Sequence, residues 1–387
     1  MPSQVFFGSA RQARLDACET LPAKLDLIID QLHIRDRVKG ETVAIKMHTG
    51  HTLSYSTVHP VFVRKLVKAV KDGGGKPFVT DVSWDIRAAE ERGYSPDVLG
   101  CPVYPTAGID EKYYYEHERP FKNIKVWKVA GMIEDATFLL NLAHVKGHPV
   151  CGFGAAFKNL ALGCVVGETR GAIHDTMHFD PYWFADKCPA ADDVKRVMEA
   201  CPFGALVEDK HHPGDLHMHF EQCNQCGRCL QAAPPGSLKI DPVNFYAFQE
   251  ACAYSVAVSL GTFAPGKATH ISLATHMTPV CDCFGFTSMP IMADAGVFGS
   301  DDIVAIDQAV LDATCNFPLL EENLPTVMEV HTREGHPFRQ LHGPYKDPYL
   351  VTQYGEQLGL GSRQYELVDV LPVAQFARPS VTYIPAN

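Results

Sequence analysis

The sequence predicts an α/β protein with a doubly wound, mostly parallel sheet that carries a smaller inserted α+β unit. Two observations predict this fold. Short apolar runs alternate with amphipathic helical segments in the first half of the chain. A stretch rich in cysteine, histidine and proline then interrupts the alternation, which resumes after it. A chain of 387 residues, 46% of them hydrophobic, is long enough to bury the core of such a sheet.

The predicted elements of the first half follow one another as helix, strand, helix, strand. Apolar residues recur at helical spacing in residues 21–32 and 60–70, and glycines follow both segments, as at helix C-termini. Apolar runs at residues 43–47, 77–82 and 137–142 predict buried strands. Strands that alternate with helices in this way pair in parallel.

Changes in composition divide the chain into four segments. We predict a first part of the α/β domain at 1–185, an insertion at 186–245, a second part of the domain at 246–330, and an extension packing on the main domain at 331–387. In the second part, Asp301 and Asp302 predict the first turn of a capped helix. Within the insertion we expect a solvated turn to contain His211, His212, His217 and His219.

Polar residues follow three of the predicted strands. They are His48 and His51, then Asp81, and then His144, Lys146 and His148. Because ligands bind outside the carboxyl ends of strands in doubly wound sheets, these residues are predicted to meet at one site. Three cationic or ligand-type residues within five positions favour a site over chance, so His144, Lys146 and His148 are catalytic candidates.

A glycine-containing segment follows this loop. Gly152 and Gly154, with Lys158 and Asn159 after them, could cradle an anionic ligand through backbone N–H groups and one fixed charge. Together with His48 and His51 they are the predicted cofactor-binding residues. The segment departs from the dinucleotide fingerprint G-x-G-x-x-G because residue 157 is phenylalanine, so it does not predict NAD binding.

The insertion contains a run of closely spaced cysteines. Cys223, Cys226 and Cys229 have the C-x2-C-x2-C spacing that lets three thiolates converge on an iron-sulfur cube. A bacterial ferredoxin run continues with a fourth cysteine and a proline, but here Ala233 stands before the proline. In ferredoxins with two clusters, the fourth cysteine of each run binds the other cluster. The missing fourth ligand is therefore expected from another part of the chain.

Cys201 has the sequence context of that missing ligand. It begins Cys-Pro-Phe-Gly-Ala, the form in which a ferredoxin run ends, while the three preceding ligand positions hold Ala191, Val194 and Val197. The four cysteines thus predict one 4Fe–4S cluster in a ferredoxin-like insertion. A tetrathiolate zinc site is the rival interpretation, although zinc sites usually pair two C-x2-C turns and need no Cys-Pro remnants.

A second cysteine motif lies beyond the insertion. Cys281 and Cys283 are two residues apart, so on a strand both would project from one face. They could bind a second metal, supply a reactive thiol, or be small buried residues. Asp294 follows in an otherwise apolar run and is a further catalytic candidate.

Charge and cysteine content restrict the class of protein. A net charge of -11 without a strong basic run argues against nucleic-acid and anionic-membrane partners. No signal sequence is recognisable, and no apolar stretch reaches the roughly 18 residues of a membrane span. Thirteen cysteines, an odd number in a long chain, favour metal ligands and reduced thiols. We therefore expect a cytoplasmic protein of a reducing, anaerobic cell interior.

Four segments resemble the family called domain of unknown function 362. They are residues 141–148, 152–160, 281–283 and 290–308, and the resemblance spans roughly residues 40–315. Many members of that family carry a ferredoxin-like insertion and are described as iron-sulfur proteins of unsettled activity. The resemblance therefore implies the cluster and the fold more than a reaction. It places on signature positions His144, Lys146, His148, Lys158, Asn159, Cys281, Cys283 and Asp294.

Three functions are compatible with these features. The leading one is an oxidoreductase that moves single electrons between the cluster and a small anionic substrate or a second cofactor, such as a flavin or a metal, for which no motif is diagnostic. The second is a pure electron carrier. The third is a non-redox isomerase or racemase in which the cluster is structural. A ferredoxin-type redox partner and a homo-oligomer are both compatible with the sequence.

Overall fold

The computed structural model describes residues 2–372, and residues 373–387 of the predicted extension lie outside this range. The strands are β1 (Ser3–Ser9), β2 (Thr42–Met47), β3 (Lys76–Asp81), β4 (Val103–Pro105), β5 (Tyr114–Phe121), β6 (Ile124–Ala130), β7 (Phe138–His144), β8 (Lys146–His148), β9 (Gly152–Gly154), β10 (Leu206–Glu208), β11 (Leu216–Met218), β12 (Ala268–Ala274), β13 (Gly296–Ser300) and β14 (Tyr365–Asp369). The α-helices are α1 (Leu21–Gln31), α2 (Ile34–Arg37), α3 (Pro60–Asp72), α4 (Ser83–Arg87), α5 (Pro96–Leu99), α6 (Gly131–Glu134), α7 (Ala156–Gly163), α8 (Gly167–Asp175), α9 (Ala191–Glu199), α10 (Arg228–Ala232), α11 (Pro242–Leu260), α12 (Ile303–Thr314), α13 (Pro337–His342) and α14 (Leu350–Gln357).

Eight of these strands form one mixed, mostly parallel sheet. Its order is β14-β1-β13-β12-β7-β2-β3-β4, and β13 runs antiparallel to both of its neighbours. The strands from β12 to β4 are all parallel. In the middle of the sheet, Ala44 of β2 lies opposite Leu139 of β7 and Phe78 of β3. The predicted α/β class and the mostly parallel sheet are therefore confirmed.

Helices cover both faces of the sheet. On one face, Leu25 of α1 and Val63 of α3 pack in the same buried cluster as Leu140 of β7. On the other face, Phe157 of α7 and Phe248 of α11 pack in the cluster that contains Leu139, the preceding residue of the same strand. Because successive side chains of a strand point to opposite faces, one buried apolar strand supplies both cores.

The four central parallel strands end side by side. The chain leaves β2 at Met47, β3 at Asp81, β7 at His144 and β12 at Ala274, and these strands are neighbours in the sheet. The segments that follow them therefore meet at one edge, as expected for a doubly wound sheet.

The inserted segment contains one helix before a short hairpin and one after it. Helix α9 precedes the antiparallel strands β10 and β11, in which Val207 lies opposite His217. Helix α10 contains Cys229, the last cysteine of the run, and is only five residues long. Buried residues on α9 are Val194 and Val197, two of the positions that hold no cysteine.

The C-terminal extension contributes more than a surface tail. Strand β14 pairs in parallel with β1 and forms one edge of the central sheet. Lys346, between α13 and α14, is buried and donates from Nζ to the carbonyl oxygen of Cys223 at 2.8 Å. The extension thus contacts both the sheet and the inserted segment. No helix within residues 2–372 combines the length and the hydropathy needed to cross a lipid bilayer.

Candidate functional site

A cavity of about 680 Å³ opens at the carboxyl edge of the sheet. This volume is in the range of ligand-binding pockets, roughly 300–1,000 Å³. The segments that follow the strands supply ionisable side chains to its wall: His48, Asp85, Lys146, His148, Cys281 and Cys283. Helices α7 and α8 and the inserted segment supply Lys158, Asn159, Arg170, His174, His178, His217, His219 and Glu221. The cavity therefore lies between the sheet and the insertion.

A buried ion pair lies at the base of the cavity. Lys46 Nζ is 2.9 Å from Asp81 Oδ1 and 2.9 Å from Asn159 Oδ1, and it also donates to the carbonyl oxygen of Met47. Burial would raise the pKa of Asp81, but the Lys46 ammonium and the His48 ring offset burial, so its pKa stays below the usual value. The network fixes α7 to the ends of β2 and β3.

His48 extends this network into the cavity. Its Nδ1 is 3.1 Å from Asp81 Oδ2 and 3.3 Å from Asp85 Oδ2. Burial lowers the pKa of His48, but the Asp85 carboxylate outweighs burial, with Asp81 and Cys281 adding to it, so the pKa rises well above its usual value. Its Nε2 is buried and has no hydrogen-bond partner among the described residues. A buried polar atom of this kind is expected to have a ligand or water as its partner.

His144 lies behind the cavity wall. Its Nδ1 is 2.9 Å from Asp282 Oδ2, and its Nε2 is 2.9 Å from the carbonyl oxygen of Thr275. Both partners are acceptors, and the residue is 1% exposed. Lys146 Nζ lies 3.8 Å from the same Asp282 oxygen. His144 therefore positions the Cys281–Cys283 segment through Asp282 and does not face the cavity, in contrast to its predicted catalytic role.

Cys281, Cys283 and His148 form a compact group in the cavity wall. One donor atom from each lies within 4.8 Å of the other two, and His148 Nε2 is 3.9 Å from Cys283 Sγ. The Cys283 N–H donates to Cys281 Sγ at 3.4 Å. Burial lowers the pKa of His148 to about 4, so the ring is neutral near pH 7.

Three cations of the cavity wall have a carboxylate within 4 Å: Lys46, Lys146 and Arg170. Lys158 also lines the wall and has no such partner among residues 2–372. Burial lowers its pKa, but negative charge on the facing Cys283 and Cys281 sulfur atoms outweighs burial and raises it. By contrast, the charge of Arg170 is offset by Glu111, whose Oε1 is 2.6 Å from Arg170 Nη2. Lys158, with Lys146 beside it, is thus the group best placed to attract an anionic ligand.

Four histidines, which we call the histidine wall, line the side of the cavity nearest the insertion: His174, His178, His217 and His219. The rings of His178 and His217 stack with centroids 4.7 Å apart. Burial, with Lys158 next in effect, lowers the pKa of His174 to about 4. The expected solvated turn is correct for the exposed His211 and His212 but wrong for His217 and His219.

Sequence reasoning missed the contribution of helix α8 to this wall. Arg170, His174 and His178 are spaced four residues apart, so they fall on one side of the helix and its last turn. This spacing of polar residues was the sequence signal that could have predicted a polar side of α8 facing the site. Asp85 was also missed. It lies four residues after the end of β3, and no sequence pattern indicates that its carboxylate pairs with His48.

The four cysteines of the insertion, Cys201, Cys223, Cys226 and Cys229, line a second, small cavity together with apolar side chains. The backbone N–H of Ala205 donates to Cys201 Sγ at 3.3 Å, and that of Gln225 donates to Cys223 Sγ at 3.4 Å. Within the described residues, no three of these thiols lie within 4.8 Å of one another. Thiolates around one zinc ion, each about 2.3 Å from the metal, lie only about 3.8 Å apart.

Strand β11 separates the two cavities. Met218 lines the small cavity of the four cysteines, which we call the cysteine cavity, whereas His217 and His219 line the large one. This follows from the alternation of side chains along a strand. Ala205 connects the two sides, because its N–H donates to Cys201 Sγ and its carbonyl oxygen accepts the His219 N–H at 2.7 Å.

Comparison with known proteins identifies the family. A family model described as domain of unknown function (DUF362) matches residues 43–312, well over half of the chain. The chain belongs to this family. The match confirms the resemblance predicted from the motifs around residues 141–160 and 281–308. Among curated proteins, no sequence matches the DUF362 chain.

One solved structure shows a distant similarity to this DUF362 chain. It is the lactate racemase apoprotein from Thermoanaerobacterium thermosaccharolyticum, with 9% sequence identity, a TM-score of 0.34, and coverage of 70% of this chain and 50% of the racemase chain. The DUF362 chain thus spans half the length of that structure. A likeness at this TM-score carries no argument about activity.

Several predicted site residues of the DUF362 chain lie outside the cavity wall. Gly152 and Gly154 are buried in β9, and the first N–H groups of α7, at Ala156 and Phe157, donate to the Asp307 carboxylate at 2.9 Å each. The protein's own carboxylate therefore takes the place predicted for an anionic ligand. Burial nevertheless raises the pKa of Asp307 to about 7.

Two further candidates are peripheral. His51 is partly exposed, with Nδ1 3.5 Å from Asp85 Oδ1. Asp294 is exposed and accepts the His276 N–H at 2.7 Å, so it stabilises a turn instead of facing the cavity. The predicted residues that do meet in the wall are His48, Asp81, Lys146, His148, Lys158, Asn159, Cys281 and Cys283.

Proposed function

We propose that this protein is an oxidoreductase that moves single electrons between one 4Fe–4S cluster and a small anionic substrate or second cofactor in the large cavity. Cys201, Cys223, Cys226 and Cys229 would hold the cluster. The observation that carries the proposal is the position of β11, which has the cysteine cavity on one face and the histidine wall on the other.

The cysteine cavity suits a cluster better than a single zinc ion. All four thiols line it, yet no three lie within 4.8 Å of one another, whereas the iron atoms of a cube lie at separate corners and spread their ligands. The N–H groups of Ala205 and Gln225 point at two of the sulfur atoms. Such hydrogen bonds stabilise thiolate ligands and tune the reduction potential of a cluster.

The large cavity offers groups that bind charge and move protons. Lys158 and Lys146 would bind the anionic end of the ligand, because Lys158 has no carboxylate partner among residues 2–372 and Lys146 has only a distant one. His48 and His174 have pKa values displaced in opposite directions, upward by the Asp85 carboxylate and downward by burial. The opposite shifts favour different protonation states for the two rings, so His48 would donate a hydrogen bond to the ligand and His174 would accept one.

The cavity distinguishes this proposal from its rivals. A pure electron carrier needs a cluster near the surface, which the exposed Cys226 would provide, but it has no use for a cavity of about 680 Å³ lined by cations and histidines. A non-redox enzyme would use the cavity but would not need cysteines on the other face of the strand that forms its wall.

The first experiment is anaerobic purification followed by iron and sulfide analysis and electron paramagnetic resonance of the dithionite-reduced protein. We expect about four iron and four sulfide per chain and a reduced-cluster signal. Cys229→Ser should lose both, and Cys101→Ser, which changes a buried cysteine outside both cavities, should keep them. No signal together with about one zinc per chain would contradict the proposal.

A second experiment tests the link between the two cavities. Small carboxylates and phosphates are added to the reduced protein, and a bound anion should change the cluster signal through the histidine wall. Lys158→Met should abolish that change while the iron content stays constant. If anions bind in the cavity and leave the signal and the reduction potential unchanged, the cluster is structural and the non-redox interpretation is favoured.

A further inference from the structure

We propose that Cys281, Cys283 and His148 form a mononuclear site for a divalent transition-metal ion, with Zn²⁺ as the expected occupant, in the wall of the large cavity. This site is separate from the cysteine cavity of the insertion. It goes beyond the proposed function and does not depend on the cluster, because none of its donors comes from the inserted segment.

The spacing of the donor atoms supports a single ion. The thiols of Cys281 and Cys283 and a ring nitrogen of His148 lie within 4.8 Å of one another, and His148 Nε2 is 3.9 Å from Cys283 Sγ. Tetrahedral zinc with sulfur at about 2.3 Å and nitrogen at about 2.0–2.1 Å places such donors about 3.6 Å apart. The group therefore needs only a small contraction around an ion.

The chemistry of the donors selects the class of ion. Two thiolates and one imidazole favour zinc and related transition metals over Mg²⁺ and Ca²⁺, which prefer oxygen. When His148 Nε2 binds the metal, the ring proton lies on Nδ1. The Val150 N–H, whose nitrogen is 3.2 Å from Nδ1, then loses Nδ1 as its hydrogen-bond acceptor. That single contact is weak in comparison with a metal–ligand bond.

A ligand on the proposed metal ion would give a hydrogen-bond partner to a buried ring nitrogen of His48. Within the described part of the chain, His48 Nε2 is buried without a hydrogen-bond partner. Its Nδ1 lies near Asp81 and Asp85, and Cys281 is a neighbour of the ring. Three protein ligands leave the fourth position of a zinc ion open to the cavity, as in catalytic zinc sites. A water or anion bound there would accept a hydrogen bond from His48 Nε2 and lie near Lys158.

The test is a metal analysis of the anaerobically purified protein after exposure to Zn²⁺ and removal of loosely bound metal. We expect about one zinc per chain in addition to the cluster iron. Cys283→Ala and His148→Ala should lose the zinc and keep the iron. The double variant Cys226→Ala/Cys229→Ala should show the reverse, and Cys101→Ala should keep both metals. Zinc that remains in Cys283→Ala would overturn the proposal.

A spectroscopic measurement on the unchanged protein covers the case in which a variant does not fold. Co²⁺ added to the iron-loaded chain should produce a thiolate-to-cobalt charge-transfer band and the strong visible bands of tetrahedral coordination. A weak octahedral spectrum, or no Co²⁺ binding, would show that Lys158 and Lys146 balance the thiolates without an ion and would overturn the proposal. Because iron is measured in the same samples, loss of the cluster is distinguishable from loss of this site.

Discussion

The buried ion pair of Lys46 and Asp81 organises the base of this site. The ammonium is 1% exposed, and its three hydrogen bonds go to Met47, Asp81 and Asn159. Removal of one partner from a buried ion pair leaves the other charge uncompensated, which costs about 3–5 kcal/mol. The pair therefore matters for stability as well as for the position of His48.

We expect Lys46→Met to lower the free energy of unfolding by about 3–5 kcal/mol, because Asp81 keeps its burial and loses its main counter-charge. Urea denaturation at pH 7 measures this change. Lys68→Met is the control, since Lys68 pairs with Asp72 on the exposed side of α3 and should leave the free energy of unfolding nearly unchanged. Equal losses in the two variants would contradict the role given to the buried pair.

At the scale of elements, strand β11 places adjacent residues in different sites. Its period of two sends Met218 toward the cysteine cavity and His217 toward the histidine wall. Helix α7 shows a similar division, because its first N–H groups bind Asp307 of α12 while Lys158 and Asn159 on its next positions face the cavity. Neighbouring residues of one element can therefore have unrelated roles.

Substitutions on β11 should separate these roles. Met218→Asn puts a polar group against the cysteine cavity, so we expect faster loss of cluster iron to a chelator. His217→Asn should leave iron retention unchanged, because its side chain lies on the other face. Iron release from the anaerobic protein is measured by absorbance. If both variants lose iron at the same rate, β11 does not divide the two cavities as described.

At the scale of the whole molecule, buried neutral histidines make stability depend on pH. Burial lowers the pKa of His270, His336 and His342 to about 3, against about 6.5 in the unfolded chain. Between these values the unfolded chain binds more protons than the folded chain. The contribution of these three histidines to stability is therefore fully present above about pH 6.5 and is lost as the pH is lowered toward 3.

Each of these histidines should contribute up to about 1.4 kcal/mol per pH unit to that loss. Urea denaturation of the wild type between pH 7 and pH 5 should show the decline. His270→Asn removes one titrating ring, so its slope should be smaller by up to that amount, whatever its stability at pH 7. The same slope in both proteins would show that His270 is protonated in the folded state.

The sequence was most informative where local pattern and burial coincide. Residues 21–31 and 60–72 form the predicted helices, and residues 42–47 and 76–81 form predicted strands, within a few positions. Apolar residues recur at helical spacing in the helices, and the strands are short apolar runs. Strand β1 was missed, and the strand β14 with which it pairs was not expected in the extension. Both are at or beside the sheet edge, where pairing with a distant segment, not local pattern, determines the structure.

What the sequence alone determined is the α/β class, the parallel order that brings strand ends to one edge, and the residue types that follow those strands. These depend on spacing along the chain, which is local. Only the tertiary structure decided that His144 supports Asp282 behind the wall, that Asp307 occupies the amide groups of α7, and that the histidine wall includes α8 and β11. Those outcomes depend on contacts between residues more than a hundred positions apart, or between helix α8 and a strand of the insertion, and no periodicity along the chain records them.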